Sequence, residues 1–200
     1  MGKLFMPFTP NGKATENRAI EVKKRLDLGP YASVDPYQVV EMEKIEARIV
    51  PSEYYKHLPP QLQEVLLVTI RDEWSAFASG PSLVDGKELI FLNPNDQRTR
   101  QKVSLMEEII HILLGHPKDT LHFDGKNGWK RPFDKQVEDE AFNVGAACII
   151  PYRWLFEKVS VQRKGLSYIA AHYRVSEEYV GYRIKRAGLH NVFRSRQRGR

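Results

Sequence analysis

Between residues 103 and 116 the chain sets Glu107, Glu108, His111 and His116 into an otherwise apolar run. Val103, Met106, Ile110 and Leu113 recur at three- and four-residue steps, and Ile109 and Leu114 widen the stripe, so the run reads as a buried helix. Glu107 and His111 are four apart and share a face, one turn from each other, with Glu108 beside them. Two ligands at that spacing can bracket a metal ion while the glutamate between them works on a water, the H-E-x-x-H arrangement. Here Glu107 holds the first position, so the motif reads E-E-x-x-H. A carboxylate ligates zinc at a distance similar to imidazole, and a Glu-His-Glu set is chemically sound. Two anionic ligands would lower the effective charge of the ion, make its water less acidic and favour harder cations.

A third ligand belongs on a later helix. The segment Val137 to Pro151 supplies one: Val137, Ala141, Val144 and Cys148 form its apolar stripe, and Gly145 and Ala146 allow another helix to approach closely. Pro132 to Asp134 carries the start signal and Pro151 the stop. Glu138 and Glu140 both qualify as ligands from spacing, and an acidic first turn that merely complements the helix dipole is the alternative. Four carboxylates, Glu107, Glu108, Glu138 and Glu140, would repel one another in a partly buried cleft unless a cation joined them. His116, five residues after His111 and behind Gly115, reads as a helix-ending or surface histidine. His122 falls in a polar loop from Pro117 to Trp129. His57, His172 and His190 have no partner visible in the sequence, and Cys148 reads as core.

These helices need a scaffold, and 200 residues with 42% apolar content suit one globular body with a small appendage. The lone cysteine excludes an internal disulfide framework and fits a reducing, cytoplasmic setting. No apolar run reaches membrane-spanning length, and Met1 to Lys13 lacks a signal-peptide core. The first dozen residues, with Pro7, Pro10, Gly2 and Gly12, read as disordered; a helix is expected from Glu16 to Leu26, stopped by Gly29-Pro30. Asp35-Pro36 opens a second helix to about Lys44. Ala47 to Val50 is a short strand candidate, and Pro59-Pro60 opens a short helix with Leu62, Val65 and Leu66 inward. Strands are expected at Glu73–Phe77 and Glu88–Leu92, with a turn at Asp85-Gly86 and a helix cap at Pro94 to Asp96. That order is α+β rather than alternating.

Net charge is +6, and from Arg183 to the end there are seven Arg or Lys and no acid. Ser167 and Ser176 can each cap a helix, and Ile169, Ala170, Tyr173, Val175, Val180 and Ile184 can form a small core between them, a spacing similar to helix-turn-helix. Arg183, Lys185, Arg186, Arg194 and Arg196 are candidates for weak, non-specific contact with DNA phosphates.

With both site segments in view, the chain resembles the ImmA/IrrE family of metallo-endopeptidases. The matching features are Trp74-Ser75-Ala76, Ile90-Phe91-Leu92-Asn93-Pro94, Arg100-Gln101 ahead of Leu105-Met106, Leu113-Leu114-Gly115-His116, and Glu138-x-x-Ala141 ten residues before Pro151. The resemblance implies a zincin-like fold with a small mixed or antiparallel sheet flanking the metal helix, over residues 14–157. A helix-turn-helix-like unit over 158–190 and a basic tail over 191–200 would follow, after a disordered 1–13. It implies zinc or another divalent cation on Glu107, His111 and Glu138, with Glu108 activating the attacking water. It also implies a protein substrate, in this family commonly a helix-turn-helix repressor, taken by strand addition along an edge at Trp74-Ser75-Ala76 to Phe77 or at Leu89–Leu92. Phe142 stands where the family has Asn or Asp. The other reading the sequence supports is a catalytically degenerate relative that keeps the groove, or the basic end, for binding.

Overall fold

The computed structural model describes residues 5–7, 9–117, 122–124, 128–130 and 134–197. Helix α1 spans Pro10–Arg25, earlier than the sequence suggests. Thr9 caps it by accepting from Gly12 N at 3.2 Å, and Pro10 sits at the first helical position, where its missing N–H costs nothing. Pro10 is therefore a helix start rather than a mark of disorder, and residues 10–13 are helical; residues 1–4 and 8 lie outside the described residues. Helix α2, Pro36–Glu41, is capped by Asp35 as its sequence predicts, and ends before Lys44. Strand β1 is Ala47–Ile49. A 3-10 turn, Ser52–His57, leads to helix α3, Pro60–Glu64, and a π-helical turn, Val65–Thr69, in which Leu66 is buried.

Strands β2, Ala76–Pro81, and β3, Glu88–Leu92, complete a three-stranded sheet in the order β1-β3-β2. β1 runs parallel to β3 and β2 antiparallel to it, with Ala76 opposite Leu92 and Ala78 opposite Ile90. The sheet is thus mixed. β3 is its centre, so Leu89–Leu92 is not an edge; β2 is one of the two borders. The Glu73–Phe77 strand is displaced because Trp74 and Ser75 lie ahead of β2. The side-chain amide of Asn93 donates to Trp74 O at 2.8 Å, and Asn93 N donates to Ser75 O at 2.8 Å.

Helix α4, Arg98–Leu114, packs beneath β2 and β3 and against α5, Lys135–Ile149. Between them β4, His122–Asp124, and β5, Gly128–Lys130, pair as a hairpin inside the segment expected to be a polar loop; the side chain of His122 lies outside the described residues. Leu105, Met106, Ile109 and Ile110 of α4 meet Ala141, Val144, Ala147 and Cys148 of α5, and Ala19 and Val22 of α1 close the same core. Gly145 makes the α4–α5 approach close: a β-carbon there would sit 3.4 Å from Met106 Cγ.

Helix α6, Tyr152–Phe156, runs into a π-helical turn, Glu157–Val161. Helices α7, Leu166–Tyr173, and α8, Glu177–Arg186, are joined by Arg174, Val175 and Ser176. Ser176 caps α8 as expected, but α7 starts from Gly165, which leaves Ser167 inside the helix. The small core expected between these helices is buried throughout. Within the segment expected to be a basic tail lies helix α9, His190–Gln197, whose Val192 and Phe193 pack on the core.

Candidate metal centre

The apolar stripe of α4 fixes its rotation, and with it the placement of the polar residues. Leu105, Met106, Ile109 and Ile110 turn inward, which sets Glu107 and His111 at the rim facing α5. On α5, Asp134 caps the helix by accepting from Gln136 N at 2.8 Å, and the burial of Ala141, Val144 and Cys148 turns Glu138 toward α4. One ligand-type atom from each of Glu107, His111 and Glu138 lies within 4.8 Å of the others. His111 Nε2 is 3.7 Å from a Glu138 carboxylate oxygen, and these side chains keep only 12% and 18% of their surface exposed.

His111 Nε2 is buried without a hydrogen-bond partner. A buried imidazole nitrogen left without one is costly unless something else takes its lone pair or proton. Ligands about 2.1 Å from a tetrahedral ion stand about 3.4 Å from one another, so the observed spacing nearly closes around a single cation. The donor set, two carboxylates and an imidazole, fits zinc and fits harder divalent ions as well.

Glu108 is 6% exposed and lies on the inner side of the same turn. Burial acts to lower the His111 pKa, but the contact with Glu138 and the charges of Glu108, Glu138 and Glu107 outweigh it and leave it raised. All three carboxylates therefore act on one imidazole. Of the two candidates on α5, Glu138 joins this group and Glu140 does not.

His116 departs from its surface reading. Gly115 takes the left-handed conformation, φ 67°, and His116 N donates to His111 O at 3.0 Å, which turns the chain back over the end of α4. The His116 ring, 8% exposed in its side chain, then lies 3.1 Å from His111 Nδ1 on one side and 3.2 Å from Glu140 on the other. On an ideal helix a five-residue step rotates about 140° away, and only the left-handed residue brings it back. Gly115 was the available signal. Arg18, which pairs with Glu140 at 3.1 Å from α1, carried none.

The family model of the IrrE N-terminal-like domain, a peptidase family, matches residues 67–185, which is 119 of 200 residues. The chain belongs to the IrrE N-terminal-like family. Its match takes in the sheet strands β2 and β3, both site helices and α7 with most of α8, whereas α1, α2 and β1 precede it. Metallopeptidase-type chemistry is what IrrE-type domains bring, and the Glu-His-Glu group is where a metal fits in this one. No curated protein and no solved structure matches the chain.

The other sequence-derived residues fall as follows. Trp74 Nε1 donates to Leu66 O at 2.8 Å, and Ser75 Oγ accepts from Arg100 Nε at 2.8 Å, which ties the approach to β2 onto α4. Ala76 lies in β2 itself. Phe142 packs edge-to-face on Tyr179 and Tyr182 of α8, and Asn143 accepts from Tyr182 Oη and Arg186 Nε at 2.9 and 2.7 Å. Arg183 corrects the DNA reading: it is 1% exposed, donates to Ile150 O at 3.1 Å and pairs with Glu16 of α1. A guanidinium enclosed in this way cannot reach a phosphate. Lys185, Arg186 and Arg194 are exposed, and the side chain of Arg196 lies outside the described residues.

Proposed function

We propose that the chain is a metal-dependent endopeptidase that cleaves an extended segment of a protein substrate, by family a DNA-binding repressor of the helix-turn-helix class. The observation that carries this reading is the convergence of Glu107, His111 and Glu138 around an unpartnered His111 Nε2. A divalent cation held by these three residues would supply Lewis acidity to a peptide carbonyl and to a water molecule. Glu108, buried one residue from Glu107, would in this reading take the proton from that water and pass it to the leaving amine.

Strand β2 supplies the substrate rail. Leu92 N and Leu92 O both bond the Tyr55 hydroxyl, at 2.9 and 2.8 Å, so their main-chain groups point away from β2. Antiparallel pairs alternate between bonded and non-bonded, and Ala76, opposite Leu92, therefore turns its own N–H and C=O outward. Ala78, two residues on, does the same. Those groups can add an extended peptide as a further strand.

Purified protein should contain about one divalent ion per chain, and Glu138→Ala should lose it. Glu108→Gln should keep the ion and lose about 10² to 10⁴ in the rate of peptide cleavage. A wild type that binds no divalent ion, or cleavage unaffected by Glu108→Gln, would overturn the proposal. The departures at Glu107 and Phe142 favour the non-catalytic reading, and ion uptake without cleavage of any protein would support that reading instead.

A further inference from the structure

Arg18, Glu140, His116 and His111 form a line of polar contacts drawn from α1, α5, the turn after α4 and α4 itself. Arg18 Nε donates to Glu140 Oε1 at 3.1 Å, His116 Nε2 lies 3.2 Å from Glu140 Oε2, and His116 Nδ1 lies 3.1 Å from His111 Nδ1. The last contact joins two ring nitrogens, so one carries a proton and the other a lone pair. Glu140 decides between them. A carboxylate paired with arginine accepts, so it takes the N–H of His116 Nε2, and a neutral imidazole has no second proton to offer. His116 Nδ1 is then a lone pair that accepts from His111 Nδ1–H. His111 is left with a bare Nε2, the atom 3.7 Å from Glu138 that lacks a hydrogen bond.

We infer that His116 and Glu140 are positioning residues that hold His111 in the Nδ1–H tautomer, keeping its Nε2 lone pair ready for a divalent cation. Metal-ligating histidines gain orientation and basicity from such partners, at the cost of 10- to 100-fold in affinity when they are removed. The device here has two steps, carboxylate to imidazole to imidazole. His116 is 8% exposed in its side chain, so water does not readily replace it. Without it, His111 is free to carry its proton on Nε2, where Glu138 would take it. As regards the cation, the inference rests on the metal-centre reading above; the tautomer does not.

Nitrogen-15 NMR of histidine-labelled, metal-free protein at about pH 8.5, where imidazoles are largely neutral, reads the tautomer directly. The expected wild type has a pyrrole-type Nδ1 and a pyridine-type Nε2 at His111. His116→Phe and Glu140→Ala should shift the proton toward Nε2 and weaken zinc binding 10- to 100-fold in chelator competition. His116→Gln, whose amide oxygen can accept from Nδ1–H, should restore both. A wild type protonated on Nε2, or a tautomer unmoved in His116→Phe and Glu140→Ala alike, overturns the inference. A tautomer that moves as expected in a protein that takes up no zinc in any form upholds the positioning role and defeats the metal reading.

Discussion

Glu107 and His111 stand one turn apart on α4, and the choice of carboxylate over imidazole at 107 sets the charge of the whole centre. Glu107→His should raise zinc affinity by about tenfold or more, about 1.4 kcal/mol, because an imidazole nitrogen suits zinc better than a carboxylate, which favours harder ions. Chelator competition measures it, and unchanged affinity would show a centre built around its carboxylates. His111 adds a pH dependence whose sign differs with and without metal. Its pKa is raised in the fold, so in metal-free protein it contributes stability below about pH 6.5 that is lost as pH rises through the folded value. A bound cation must displace that proton, so the increase in melting temperature given by zinc should shrink as pH falls through the same range. Thermal denaturation with zinc and with chelator, from about pH 5 to 9, separates the two. Equal zinc effects at both ends of that range would remove His111 from the ligand set.

The site helices were legible in the sequence because their signals are local. Three- and four-residue apolar spacing, Gly115 at the end of α4 and Asp134 at the start of α5 are enough to orient Glu107, His111 and Glu138. What escaped depends on distant partners or on turn geometry. β2 begins at Ala76 because Asn93 claims the carbonyls of Trp74 and Ser75, and it continues through Gly80 and Pro81 because a border strand tolerates a proline and an irregular register. His116 needs the left-handed turn at Gly115. Arg183 was legible as a charge but not as a partner of Glu16, 167 residues away. At the helix contact where α8 reaches α1, Arg183→Met should cost about 3–5 kcal/mol by leaving Glu16 buried without its cation, and Glu16→Leu added to it should recover much of the loss. Denaturant midpoints of the two variants measure this, and a double variant no more stable than the single one would refute it.

From Arg183 onward the sequence carries seven Arg or Lys and no acid, a run that takes in the end of α8 and all of α9. With Arg183 enclosed, Lys185, Arg186 and Arg194 are the described exposed cations there. Weak, sequence-independent DNA binding through phosphates is the expected outcome, with a log–log salt slope of about −0.9 per phosphate neutralised. Lys185→Gln with Arg194→Gln should flatten that slope by about 2 while ion content stays unchanged. Binding that persists at high salt and prefers one duplex would mean that α8 reads bases; no binding at low salt would leave these charges to a protein partner or to solubility. The pairing of Glu16 with Arg183 also bears on how the molecule is made. A ribosome adding about 5–20 residues per second needs roughly 8–30 s to travel from the first of these residues to the second. Throughout that interval α1 has its acid but not its counter-ion, so its packing on α5 is complete only once α8 has emerged. Nascent chains of this protein should therefore hold α1 firmly on the core only after α8 has left the ribosome, whereas Glu107, His111 and Glu138 are all made well before that point.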